Sequence, residues 1–314
     1  MGFAKHPIIT IVGPTASGKS DLALFLAEAF HGEIVNYDSV QVFRHMDIGS
    51  AKPSAAERLR VPHHMIDIRE PMEVFTAGDY QREARVVLEG LRQRGRIPVL
   101  VGGTGLYLRA LTEGLFAGPT RSAHLRSRLE LLAERRGREY LHRLLQKLDP
   151  IAAERIMPRD MPKIIRALEV RLETGKALSE HLAIEPRQPL SGFDTHTIGL
   201  NPPRQALVLR IDERVRRMFA DGLVDEVRSL IARGVPPSAK PMGAIGYRHI
   251  LQNSGSSNTW DDTIGMIQRD TRRYAKRQLT WFRKMPGTTW FDGFGDNPDI
   301  KEEIHRRIQH LLPR

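Results

Sequence analysis

The chain has 314 residues, of which 40% are apolar and 27% charged; this supports a sizeable core and excludes a long disordered chain. It has no cysteine, which excludes disulfide scaffolds, cysteine-ligated zinc, iron–sulfur clusters and thiol nucleophiles. Lys plus Arg number 48 against 37 Asp plus Glu, and the resulting formal charge of +11 favours an anionic partner, nucleic acid or a phosphorylated substrate first.

In chain order, strand and helix signals alternate over the first hundred residues. Residues 7–12 read as a buried strand, followed by a Gly-rich turn and a helix over 19–30. Further strands are expected at 33–36, 63–68 and 97–101, with a helix over 75–94 that Thr76 caps and Gly95 stops. The longest apolar runs, around 8–12 and 97–101, are far short of the ~20 residues that span a bilayer. The opening MGFAKH has neither a signal-peptide layout nor the Ser or Thr at position 6 of a myristoylation site, so a cytoplasmic protein is expected. Short apolar strands separated by helices predict an α/β fold, a P-loop NTPase-like parallel sheet with helices on both faces. Composition shifts near Pro119. Residues 119–192 hold one aromatic residue, Tyr140, and Leu125, Leu129 and Leu132 fall on one helical stripe, so a small all-helical insertion is expected there, within a core formed by 1–118 and 193–314. Strand signals return at 196–200 and 207–211; helices dominate thereafter, with a polar loop at 254–258.

Gly13-Pro14-Thr15-Ala16-Ser17-Gly18-Lys19-Ser20 matches G-x-x-x-x-G-K-[ST] between a predicted strand and a predicted helix. Its glycines let the backbone close on a phosphate, whose charge the freed N–H groups, the helix N-terminus and Lys19 meet. Ser20 is placed to ligate Mg²⁺ together with phosphate oxygens and water. A nucleotidase normally adds an acidic residue at the end of a later core strand. Here residues 97–101 run into Gly102-Gly103-Thr104-Gly105, and Asp67 is the one obvious substitute. That weakens a motor or switch reading and leaves a small-molecule kinase, or a loop gripping a diphosphate that is not a nucleotide's.

Asp38 follows the second strand, where ligands of open α/β sheets sit. It reads equally as a general base for an attacking hydroxyl or amine and as a cap for the following turn. Near the C-terminus, Arg269, Arg272, Arg273, Lys276 and Arg277 share one helix face with Asp270 alone to balance them, a pattern suited to nucleic-acid phosphate. Trp281 and Phe282 read either as base-stacking residues or as core on the opposite face. Arg214 is a candidate phosphate-binding residue. Adjacent His63 and His64 point to opposite faces of a strand, poor geometry for a metal, and no protein-built metal site is expected.

Six blocks, in order, resemble the tRNA dimethylallyltransferases (tRNA isopentenyltransferases): GPTASGKS, Asp38-Ser39 with MDIGSAKP, VGGTGLYLRALTEG, RALEVRLETGK, MGAIGYR and AKRQLTWFRK. The resemblance implies transfer of a dimethylallyl group from dimethylallyl diphosphate to N6 of the adenosine 3′-adjacent to the anticodon, in tRNAs reading codons that begin with U. It implies that the loop 13–20 grips the isoprenoid diphosphate with Mg²⁺, that Asp38 is the general base, and that Thr15 and Arg214 act on the diphosphate. It implies tRNA contacts at Asp38, Ser39, Val40 and Gln41; at Lys163 and Arg166; at Gly246, Tyr247 and Arg248; and at Lys276, Arg277, Gln278 and Arg283, with Thr104 and Arg126 beside the target base. One place departs from the pattern: Pro162-Lys163 stand where the family usually has Gln-Arg, and Lys lacks Arg's bidentate fork. The nearby Arg159 is a candidate substitute. The partners expected are the tRNA anticodon stem-loop and dimethylallyl diphosphate, with no membrane, for a monomer. Competing readings are a small-molecule P-loop kinase with a helical lid, an adenylate isopentenyltransferase acting on free adenine nucleotides, and a non-enzymatic RNA-binding protein.

Overall fold

Alternate residues of the first strand serve two different cores. Ile8 and Val12 join one apolar cluster and Ile9 and Ile11 another, the period-two pattern of a strand covered on both faces. The computed structural model describes residues 5–116, 118–119, 121–184, 187–253 and 259–311; the polar stretch expected as a loop at 254–258 lies outside them. Six strands form one parallel sheet: β1 (His6–Val12), β2 (Gly32–Asn36), β3 (His63–His64), β4 (Ile97–Val101), β5 (Phe193–Leu200) and β6 (Thr288–Phe291), in the order β3-β2-β4-β1-β5-β6. Helices Ala77–Gln93 and Gly105–Thr112 cover one face through Tyr80, Leu88, Tyr107 and Leu108. Helices Lys19–Ala29 and Pro298–Leu311 cover the other through Leu22, Leu26, Ile304 and Ile308. Each such side chain, taken fully out of water, contributes about 1.5–3 kcal/mol.

The strands at β1, β2 and β4 and the helix capped by Thr76 fall where the sequence puts them; Thr76 and Asp79 form a reciprocal capping box. Two expectations are corrected. The strand expected over 63–68 stops after His64, because Met65 and Asp67 turn into the left-handed region (φ +63° and +55°). The strand expected over 207–211 is part of the helix Arg204–Ala220, where Leu207, Ile211 and Val215 bury one stripe at four-residue spacing. Helices dominate after β5 as expected, with a short strand among them that the sequence did not signal, Thr288–Phe291, which pairs with Thr197–Leu200 at the sheet edge.

The chain divides into two compact units, Met1–Thr112 with Leu190–Arg314, and Glu113–Pro189. The second is therefore shifted from the expected 119–192. Leu190 belongs to the sheet unit because its N–H bonds the Thr112 carbonyl at 2.9 Å and its side chain packs on that unit's core. Among the described residues of Glu113–Pro189 there are helices and no strand. Leu129, Leu141, Leu145, Ile164 and Leu168 form the core of that unit, with Leu125 and Leu132 packed against it. Among the described residues no helix is long and apolar enough to cross a membrane.

Candidate active site

The connections from β1 run to β2 on one side of the sheet and, by way of β4, to β5 on the other. β1 is thus a switch point, where ligands of open α/β sheets bind beyond the carboxyl ends of the strands. Registers Ile11↔Val101 and Asn36↔Val101 bring three loops together there: residues 13–18 after β1, Asp38 after β2, and Gly102–Gly105 after β4.

Gly13 and Gly18 bracket the first loop, and Ala16 between them also takes a left-handed conformation (φ +63°). Lys19 opens the following helix and is buried, its Nζ donating to the Pro14 carbonyl at 2.6 Å. Burial, and then the Arg214 charge, push its pKa down to about 7 against the opposing pull of Asp38. Arg214, from the helix Arg204–Ala220, donates from Nη1 to Thr15 Oγ1 at 3.3 Å. Burial also lowers the pKa of Arg214, with Asp38 acting in the opposite sense. Ser17 Oγ is buried in the loop with no hydrogen-bond partner among the described residues. Two poorly solvated cations, a row of loop amides and an orphan hydroxyl make a site complementary to a multiply charged anion.

One oxygen of Asp38 caps the turn and the other lies at the glycine turn after β4. Its Oδ1 accepts from the Val40 and Gln41 amides at 2.9 and 3.4 Å and so caps the turn. Its Oδ2 lies beside Gly103, where a β-carbon would come within 2.8 Å of it. Burial raises the carboxyl pKa, opposed by the two amides and by Lys19 and Arg214. Thr104 ties the same turns together: its Oγ1 accepts from Ser39 N–H at 2.9 Å and donates to Ser39 Oγ at 3.0 Å. Gln41 spans to the Ser50 and Ala51 carbonyls.

The helix Trp260–Phe282 carries the expected basic run. Arg269, Arg273, Lys276, Arg277 and Arg283 (the last just past its end) are exposed, whereas Arg272 pairs with Asp212 at 2.6 Å. Arg283 also donates to Asn201 at 3.1 Å, and Arg248 pairs with Asp270 at 2.5 Å. Phe282 is core, and Trp281, 40% exposed, sits against Gly105, where no β-carbon would fit. Two of the residues named as tRNA contacts are buried in this structure. Tyr247 is fully buried and donates to Glu226 at 2.7 Å; Gln278 is only 5% exposed. Gly246, at φ +95°, is the left-handed turn that lets Tyr247 enter.

Sequence reasoning missed Glu226. Its carboxylate accepts from three consecutive amides, Asp47, Ile48 and Gly49, at 2.8, 2.7 and 3.1 Å, and from the Tyr247 hydroxyl. It thereby fixes one wall of a cavity of about 730 Å³ lined by Ile48, Lys52, Asp67, Arg214 and Met218. Asp67 does not replace a nucleotidase's metal-binding acid. Its two oxygens pair with Lys52 and Arg58, both at 2.6 Å. His64 pairs with Glu33 at 2.7 Å, while His63 faces the Val61 carbonyl. Among the described residues no group of three metal-ligating side chains occurs. Ser20 is exposed in the first helical turn beside Lys19, a donor set suited to a Mg²⁺ held mainly by substrate oxygens and water.

In the unit Glu113–Pro189, Arg126 and Arg166 share the fully buried Glu169 at 3.3 and 2.8 Å, and Ser122 N–H donates to the same carboxylate. Pro162 lies in the first turn of the helix Met161–Thr174, where a missing N–H costs nothing. Lys163 is exposed and pairs with Asp160 at 2.5 Å, and Arg159 lies on an exposed turn.

A family model described as IPP transferase matches residues 41–285. A tRNA dimethylallyltransferase of Solibacter usitatus is 48% identical over 306 residues, covering 98% of this chain and 99% of that protein. One of Geobacter sulfurreducens is 48% identical over 289 residues, covering 92% and 93%. Among solved structures, the full-length tRNA isopentenylpyrophosphate transferase of Bacillus halodurans matches with a TM-score of 0.72 and 39% identity, over 98% of this chain and 96% of that one. A eukaryotic dimethylallyltransferase acting on tRNA matches with a TM-score of 0.78 and 27% identity, over 98% and 78%. The chain belongs to the IPP transferase family.

Proposed function

We propose that this protein transfers a dimethylallyl group from dimethylallyl diphosphate to N6 of the adenosine 3′-adjacent to the anticodon, in tRNAs that read codons beginning with U. The observation that carries the reading is the meeting of Thr15, Lys19 and Arg214 with Asp38 at one crevice. The first three make a grip for a diphosphate, and the last is a carboxylate with a free oxygen.

The adenine amine is a poor nucleophile because its lone pair is delocalised into the ring. Asp38 Oδ2 accepts a hydrogen bond from it, orients it and takes its proton as nitrogen bonds to the allylic carbon. The carbon–oxygen bond to diphosphate breaks as that bond forms, and the leaving oxygens keep the electron pair. The loop amides from Ala16 onward, Lys19, and Arg214 seated against Thr15 stabilise the charge that builds there. Ser20 would hold a Mg²⁺, which when bound would supply further neutralisation of the diphosphate. The cavity beside Arg214 offers Ile48 and Met218 as apolar surface for the isoprenoid. The target base must leave its stack, at a cost of a few kcal/mol. The exposed Arg273, Lys276 and Arg277 supply phosphate contacts to the anticodon stem-loop, Lys163 and Arg166 supply further tRNA contacts, and Thr104 and Arg126 stand beside the target base. With tRNA as acceptor, the reading carries a cytoplasmic location, and we assign the activity to the monomer.

A two-acceptor assay tests the reading. The protein is incubated with dimethylallyl diphosphate and Mg²⁺, with unmodified tRNA in one tube and AMP in another. A mass gain on the tRNA adenosine alone is the expected result. Gain on AMP would make the protein an adenylate isopentenyltransferase. Gain on neither, with ATP turnover in parallel, would return the loop to a small-molecule kinase.

A further inference from the structure

Gln278 stands within the basic run, yet its side chain faces the opposite way. Tyr274, Gln278 and Trp281 fall at i, i+4 and i+7 and form one stripe against the glycine turn after β4. Gln278 Oε1 accepts from the Thr15 amide at 2.7 Å, and its Nε2 donates to the Gly103 carbonyl at 3.0 Å. The same carbonyl accepts from the Tyr274 hydroxyl at 3.0 Å. The two ends of the amide are not interchangeable. Turning it over would set N–H against N–H at Thr15 and oxygen against oxygen at Gly103, so its partners fix its orientation. A buried, oriented amide thus joins the loops that follow the adjacent strands β1 and β4.

Those two loops carry the two halves of the chemistry. Thr15 carries the hydroxyl that meets Arg214, on the diphosphate side. Gly103 is the residue beside Asp38 Oδ2, on the acceptor side, and a β-carbon there would also meet Gln278 Nε2 at 2.9 Å. Resting on the transfer reaction proposed above, we propose that Gln278 is a positioning residue. It sets the spacing between the diphosphate grip at Thr15 and the carboxylate of Asp38, and it is not a contact to tRNA. It touches neither reacting group, and its effect passes through Thr15 and Gly103.

The test compares Gln278→Leu and Gln278→Glu with the exposed neighbour Lys276→Ala. Binding of inorganic diphosphate to the free protein, tRNA affinity across a salt series, and kcat with each KM are measured. Gln278→Leu leaves the half-buried Thr15 amide without its acceptor, and diphosphate binding and kcat each fall about tenfold or more. Its tRNA affinity and salt slope match the unsubstituted protein, while Lys276→Ala lowers both. Gln278→Glu keeps an acceptor for Thr15 but sets a negative charge against the Gly103 carbonyl near Asp38. The pKa of Asp38 therefore rises, and the acidic limb of the kcat/KM profile moves to higher pH. This second variant keeps the proposal testable if Gln278→Leu folds poorly. Weakened tRNA binding with unchanged kcat and diphosphate affinity would overturn the proposal and make Gln278 an RNA contact. An unshifted pH profile in a folded Gln278→Glu would also overturn it. The diphosphate measurement needs no tRNA, so it reports on Gln278 even if the unsubstituted protein fails to modify tRNA, an outcome that would refute only the transferase reading.

Discussion

A lysine held near neutrality makes diphosphate binding depend on pH in a calculable way. Free Lys19 has its pKa pushed down to about 7, chiefly by burial and by the Arg214 charge. A bound diphosphate supplies the missing counter-charge and holds the ammonium protonated, so binding above pH 7 must take up a proton. The population of charged Lys19 in the free protein falls as 1/(1 + 10^(pH−7)). Between about pH 6.5 and 8.5 this weakens affinity by about 25-fold, or about 1.9 kcal/mol. A diphosphate's own ionisation, near 6 if it behaves as other phosphoryl groups do, lies below that window. Isothermal titration of dimethylallyl diphosphate and Mg²⁺ into the protein without tRNA, in buffers of different ionisation enthalpy, reads both affinity and protons. About half a proton is taken up at pH 7 and about nine-tenths at pH 8. Lys19→Arg, charged throughout, flattens the profile. A flat profile with no proton uptake in the unsubstituted protein would refute the claim that burial discharges Lys19 and that the anion recharges it.

Three further outcomes follow from the same structure. The unfolded chain holds lysine near 10.4, well above the folded value for Lys19; between about pH 7 and 10 the unfolded state therefore binds more protons. The free protein should gain stability over that range relative to Lys19→Met, as measured by denaturant midpoints, and a constant difference would contradict the assignment. Removing the Glu226 carboxylate by Glu226→Ala strips three amides and the Tyr247 hydroxyl of their acceptor. A loss of about 2–4 kcal/mol in stability is expected, with the salt slope of tRNA binding unchanged. Neutralising Arg273, Lys276 and Arg277 together should lower tRNA affinity and flatten the log–log salt slope by about two to three units. An unchanged slope would take that face of the helix away from RNA.

How much of this could be read from the chain depended on how local the determining contacts are. The loop 13–20 is legible because its chemistry lies in eight consecutive residues, and β1, β2 and β4 because their apolar runs are bounded by turns. The early end of β3 was not legible. The turn at Met65 and Asp67 is held by Lys52 and Arg58 and by the Asn36 side chain, which reaches the Met65 carbonyl. The run at 207–211 looked like a strand in a short window; only its continuation to Val215 shows the helical stripe. β6 is four residues long and is defined by pairing with Thr197–Leu200, about ninety positions earlier. Glu226 gives no local signal, because its backbone partners lie 177 to 179 residues away. Gln278 was grouped with its cationic neighbours, although helical spacing already sets it with Tyr274 and Trp281. The cap reading of Asp38 is met by one carboxylate oxygen, while the other faces the crevice, where the proposed base would act.

In the proposed reaction Asp38 acts on the acceptor while a separate grip holds the diphosphate. Single-turnover transfer by Asp38→Ala, with preformed complexes of protein, tRNA and dimethylallyl diphosphate, measures this most directly. The account predicts tRNA and diphosphate affinities within a few-fold of the unsubstituted protein and a transfer rate lower by about 10²-fold or more. Transfer at the original rate by this variant would remove Asp38 as the base and contradict the mechanism.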